Sequence, residues 1–169
     1  MAYTQLPYSP LIKRIAAPLI TRPADTTAYA AGDGVGTAST VVQTLTGAAR
    51  QNSGGGRILT ARLFKSGTTV TNATFSVLLF STAPTTVADN AAFNLLYAEQ
   101  AYYIGTIAFS TMTVQGSGGG FAATVANPAV WYQTASGSKA LYAVIIATAA
   151  YTPASAETFQ LSFTVEQTT

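Results

Sequence analysis

A chain of 169 residues with 49% hydrophobic side chains has the length and apolar content for one domain with a real core. Only 8% of it is charged, against a usual share of roughly 25%, and it contains no cysteine and no histidine. Disulfides, zinc sites of the Cys/His kind, cysteine nucleophiles and His-based triads are thereby excluded.

The net charge of +2 is unevenly spread, +5 over residues 1–65 and −3 over residues 66–169. No dense Lys/Arg cluster is interleaved with aromatics, so direct nucleic-acid binding is not expected. A surface this poor in charge favours association, and part of it is expected to be buried against other subunits.

The first 18 residues, MAYTQLPYSPLIKRIAAP, carry three prolines and little alternation. They read as an extended N-terminal arm outside a single domain over residues 19–169. Their order lacks the basic-then-apolar pattern of a secretory signal. Strands are expected at residues 17–21 and 41–45. Between them GDGVG (residues 32–36) holds part of a dinucleotide fingerprint without its spacing or a strand–helix unit, so its glycines read as turn residues.

Residues 57–67 alternate as a strand, with Ile58, Thr60, Arg62 and Phe64 on one side and Leu59, Ala61 and Leu63 on the other. Residues 73–82 send Phe75, Val77 and Leu79 one way and Ser76, Leu78 and Phe80 the other. The stretch 81–100, STAPTTVADNAAFNLLYAEQ, then breaks the pattern. Asp89 is read as the N-cap of a short helix near residues 89–98. Phe93, Leu96 and Tyr97, spaced i, i+3, i+4, would cover one open end. No second carboxylate is placed to work with Asp89 as a hydrolytic pair.

Further strands are expected at residues 102–109, 121–125, 129–133 and 141–148. The apolar run at 140–151 is too short to span a bilayer as a helix, which needs about 20 residues, and no membrane segment is expected. Trp131 and Tyr132 are adjacent, so they face opposite sides of a strand and one of them belongs to the core. Tyr29, Tyr102 and Tyr103 are expected at the surface. SGSK (residues 136–139) matches Ser-x-x-Lys but falls in a Gly/Ser turn, where the activated serine of that motif would open a helix. Residues 158–167 alternate most cleanly, with Phe159, Leu161, Phe163 and Val165 inward. About eight strands with Gly/Ser turns and no long helix predict an all-β, antiparallel β-sandwich of jelly-roll type.

Three segments, LITRPADTTAYAAGDGVG (19–36), GGGRILTARLFKSG (54–67) and FSVLLFSTAPTTVADNAAFNL (75–95), resemble a family of small tailed-phage proteins encoded beside the major capsid protein. That family includes head decoration or cement proteins of jelly-roll-like fold. The resemblance implies a virion protein, assembled in the host cytoplasm, that binds the outside of the capsid and strengthens it. Its partners would be the major capsid protein and itself, as homodimer or homotrimer. It supplies no catalytic residue, metal or cofactor.

The arm lies outside the resembling segments and is given a role on physical grounds. Tyr3, Tyr8 and Leu11 would be apolar anchors and Lys13, Arg14 and Arg22 charged anchors for capsid or subunit contact. A carbohydrate- or receptor-binding sandwich of a tail or head fibre is the alternative, with Trp131 and exposed tyrosines as its platform. An enzyme is not expected, for want of a tuned acid, base or nucleophile.

Overall fold

The computed structural model describes residues 9–116 and 120–168. Twelve strands run in chain order: β1 (Leu11–Ala16), β2 (Ile20–Thr21), β3 (Gly34–Val35), β4 (Val42–Leu45), β5 (Gly55–Lys65) and β6 (Phe75–Phe80) form the first half. After one 3-10 helix (Tyr97–Tyr102) come β7 (Tyr103–Ala108), β8 (Thr113–Val114), β9 (Ala122–Ala126), β10 (Val130–Gln133), β11 (Leu141–Ala147) and β12 (Thr158–Gln167).

All pairings are antiparallel. The first sheet has the order β1-β12-β5-β9-β8, with β2 also on β12 and β10 also on β5. The second has the order β3-β11-β6-β7, with β4 also on β11. Broken strands share an edge: β1 and β2 follow one another along β12, β3 and β4 along β11, β9 and β10 along β5. Taken as continuous strands, these leave four positions in the second sheet and four in the first plus the short β8 at its edge, with the last strand, β12, between β1/β2 and β5. That is the double Greek key of a jelly roll, as the sequence predicts.

Between the sheets lies the main core, which includes Ile58, Leu63, Phe75, Val77, Leu79, Ile145, Phe159, Leu161 and Phe163. A second apolar cluster covers the outer face of the second sheet, with Val41, Leu78, Phe80, Phe93 and Val144 at its centre. β6 is therefore buried on both faces along its whole length. The alternation read in residues 73–82 is real, and its two sides belong to two different cores.

Two structural details depart from the sequence reading. β5 holds a bulge: Thr164 pairs Thr60 and Val165 pairs Ile58, so Leu59 is the extra residue. Ile58 consequently joins Ala61 and Leu63 in the core and parts from Thr60, Arg62 and Phe64. Residues 11–16 of the expected arm are an edge strand of the first sheet, paired with β12 in unbroken register. Ile15 and Ala17 are buried, and Arg50 donates to the carbonyl of Ser9.

Candidate functional site

Asp89 does not cap a helix. Its neighbour Asn90 has a φ of +59°, a left-handed turn that a right-handed helix cannot continue through. The helix begins later, after Leu96, and is one of 3-10 type. Glu99 serves as its capping acid. Burial pushes the Glu99 carboxyl up, but the backbone N–H groups of Thr85 (2.6 Å) and Leu96 (3.2 Å) outweigh this and hold it below the usual carboxylate range. Leu96 and Tyr97 are exposed, whereas Phe93 is buried with its ring centroid 6.4 Å from that of Phe80. The 81–100 stretch thus lies over the second sheet's face.

The carboxylate of Asp89 is instead one end of a buried polar seam. It pairs with Arg22 at 3.0 Å, with side-chain exposures of 3% and 0%. It also accepts from the Tyr29 hydroxyl (2.6 Å) and the Gly36 amide (2.9 Å). Arg22 donates to the Tyr29 hydroxyl as well. A second set of the same make-up lies alongside: Lys65 pairs with Glu157 at 2.9 Å, both fully buried, and the Tyr151 hydroxyl donates to Glu157. The two sets join where Tyr29 and Tyr151 exchange backbone hydrogen bonds. There their rings lie nearly parallel with centroids 6.2 Å apart.

Burial, then the adjoining carboxylate, pushes both phenols far above the ordinary tyrosine range, so they remain donors. A glycine stands beside each pair where a side chain would not fit. A Cβ on Gly36 would sit 2.2 Å from the carbonyl oxygen of Thr40, and one on Gly67 would sit 1.8 Å from the Glu157 carboxylate.

The seam ties together one end of the sandwich, since it joins the end of β5 and the start of β12 to the loops after β2 and β11 and to the covering stretch. Its charges satisfy one another, so the chemistry available to it is structural. Arg22 and Tyr29, expected at the surface, are interior residues for this reason; the sequence offers no local sign, because the Arg22 partner lies 67 residues away. Among the described residues no group of three or more His, Cys, Asp or Glu could hold a metal ion.

The outer face of the first sheet is different. Residues paired across antiparallel strands share a face, which lays out three rows. Ile12, Glu166, Arg57 and Trp131 form one. Arg14, Thr164 and Thr60 form the next, and Ala16, Ser162, Arg62 and Val125 the third. Beyond them Phe64 meets Phe121 edge-on at 5.5 Å, and with Leu19 and Gln160 these line a shallow notch of about 170 Å³.

Trp131 is 63% exposed, Ile12 53% and Val125 50%; Tyr132, on the other side of its strand, is buried. Arg57 is paired with Glu166 at 3.0 Å and lies 5.3 Å from the Trp131 ring centroid. Arg14 reaches Ser162 at 3.4 Å. Arg14 and Arg62 form no ion pair among the described residues.

Of the arm residues expected to make contacts, Leu11, Lys13 and Arg14 are exposed on β1. Arg14 faces outward with the rows above, while Lys13 leans toward the Gly47 turn. Tyr3 and Tyr8 lie outside the described residues. No helix among the described residues is long and apolar enough to cross a membrane.

No protein-family model matches the chain, and no curated protein matches it. Among solved structures, the chain is similar to the K3 cleaved adhesin domain of Lys-gingipain from Porphyromonas gingivalis, at 13% identity, with a TM-score of 0.28 and coverage of 75% of this chain. It spans 63% of that adhesin domain. It is also similar to the structure of Cocksfoot mottle virus, at 11% identity and TM-score 0.29, covering 92% of this chain and 95% of the other. A third is the structure of infectious bursal disease virus, at 13% identity and TM-score 0.23, covering 94% of this chain and 42% of the other. Alignments this loose carry no argument about function, which rests on the surface of the chain itself.

Proposed function

We propose that the chain is a virion structural protein, a decoration or cement protein on the outer surface of a tailed-phage head. In this reading it is assembled in the host cytoplasm, as a homodimer or homotrimer, with the major capsid protein as its partner. The observation that supports it best is the uncovered outer face of the first sheet. Large apolar side chains stand exposed there among arginines, while the equivalent face of the second sheet is roofed by the chain's own loops. A face of that composition fits a protein interface, where aromatic and Arg residues are enriched.

The interior supports the same reading. Five of the 14 charged side chains are buried in mutual or backbone bonds: Arg22, Lys65, Asp89, Glu99 and Glu157. Such wiring suits a passive, many-copy part whose work is to bind and to stay folded. Arg14 on the edge strand extends the contact, whereas Leu11 lies on the other side of β1 and Arg22 is buried.

Quantitative peptide mass spectrometry of purified virions tests this. A copy number near that of the major capsid protein, or a simple fraction of it, is expected. A handful of copies would place the chain in the tail, portal or fibre, and its absence would overturn the reading.

A second reading, a glycan- or receptor-binding sandwich, is favoured by one feature: Trp131 stands exposed above the Arg57–Glu166 pair, as a sugar-stacking platform would. Saturable quenching of the Trp131 fluorescence by host surface polysaccharide is the outcome that would support it.

A further inference from the structure

We infer that the outer face of the first sheet binds an acidic protein surface, presenting carboxylates to Arg14 and Arg62 and an apolar side chain to the notch between Leu19, Phe64 and Phe121. The inference rests on the virion reading and specifies its partner: the acceptor on the shell is a carboxylate-bearing, non-basic patch.

The charges on this face set the requirement. Ser162 pairs with Arg62 on one side and with Ala16 on the other, and Arg14 reaches across to its hydroxyl. Arg14 and Arg62 therefore share the outer face, on strands that flank β12 on either side. Adjacent strands lie about 4.8 Å apart, so the two strands that carry these arginines, with β12 between them, are about 10 Å apart. No carboxylate stands between the two groups, because Glu166, the acid of this face, is engaged by Arg57. Two cations without an acid of their own on one face are complemented by carboxylates set opposite them on a partner. The planar fork of Arg suits a carboxylate in particular.

Other occupants fit less well. A second copy meeting the same face would set arginines against arginines. Elsewhere the chain has few acids to offer, since Asp89, Glu99 and Glu157 are internal. Nucleic acid calls for a continuous basic track, whereas these arginines are interrupted by Val125, Ile12 and Trp131. That mixture of apolar anchors with a few cations is the pattern of a protein interface. The notch, apolar and close to the size of one large side chain, supplies a place for a central anchor.

The test uses the full chain and purified virions of a phage lacking its gene, with co-sedimentation as the readout. Four forms are compared: the parent chain, Arg14→Glu/Arg62→Glu, Leu19→Glu, and Lys139→Glu, which changes an exposed charge in the turn before β11. The expected result is that the double variant binds at least about tenfold more weakly, that Leu19→Glu is weakened too, and that Lys139→Glu binds as the parent does. The parent's affinity should fall with added salt. If the double variant does not fold, judged by its melting curve, Arg14→Gln and Arg62→Gln singly replace it, each expected to weaken binding.

Parent-like binding by the charge variants would overturn the inference while leaving the virion reading intact. Equal loss in Lys139→Glu would also overturn it. Nuclease-sensitive binding would assign the face to nucleic acid, and a shift of the variants from oligomer to monomer would assign it to a second copy; either result overturns it. Absence of the chain from wild-type virions would remove the reading and the inference together.

Discussion

The two sheets bury their inner faces against each other, but they treat their outer faces in opposite ways. Over the second sheet the 81–100 stretch is laid down as a roof: Phe93 packs on Phe80, and backbone bonds join Val41 to Val87, Gly34 to Ala91 and Phe93 to Gly32. Asp89 anchors the roof into the buried seam. Over the first sheet nothing of the described chain is laid down, and the side chains there are an alternation of Arg, Thr and apolar residues. One sheet is finished by its own polypeptide. The other stands open, and that difference is the observation on which the proposed function rests.

This contrast can be broken most forcefully at the anchor. Asp89→Ala leaves the buried Arg22 guanidinium with only the half-exposed Asp25 carboxylate, 3.5 Å away, and is expected to cost about 3 kcal/mol in denaturant unfolding. Glu157→Ala should cost a similar amount through Lys65. Replacing both members, as Lys65→Met with Glu157→Leu, should recover most of that loss, since buried pairs often stabilise little relative to apolar residues. A double variant as unstable as the single one would show that the seam contributes net stability.

Next in size is the roof itself. Phe93→Ala is expected to cost about 3 kcal/mol, together with faster amide exchange in β6. A smaller effect comes from Glu99. Its carboxyl is held low in the folded protein, so the stability it gives is present above its unfolded value of about 4.3. That stability is lost as pH falls from there through the lower folded value. Glu99→Gln should remove about 1 kcal/mol at neutral pH and flatten the acid limb of the stability curve; an unchanged limb would count against the cap. The smallest effect is expected on the open face, where Val125→Ser should change stability by no more than about 0.5 kcal/mol. A loss as large as that of Phe93→Ala would mean that the face is already covered in the free protein.

Much of this was legible in the chain. The alternation of residues 158–167 placed the inward residues of β12 correctly, and the two-sided pattern of residues 73–82 carried both cores. Trp131 and Tyr132 parted as adjacent strand residues must. What misled was local chemistry with a distant partner. Asp before an apolar run reads as an N-cap, yet a carboxylate goes to its strongest donors, and these were a guanidinium 67 residues away and a phenol 60 residues away. The short β1 was hidden by the prolines on either side of it, Pro10 and Pro18, and by its exposed side chains, because an edge strand with charges on it shows little burial pattern. The bulge at Leu59 reversed Ile58 through one inserted residue, which no alternation reveals.

By itself, then, the sequence determined the all-β jelly-roll class, the main inward residues, and the lack of the Cys and His that many sites need, because strand period and composition are properties of neighbouring residues. The tertiary structure alone decided that Arg22, Asp89, Lys65 and Glu157 form one buried seam, and which sheet face is roofed and which stands open. Those outcomes depend on pairings across 60 to 92 residues, where burial makes each charge seek a partner that only the folded chain can bring within reach.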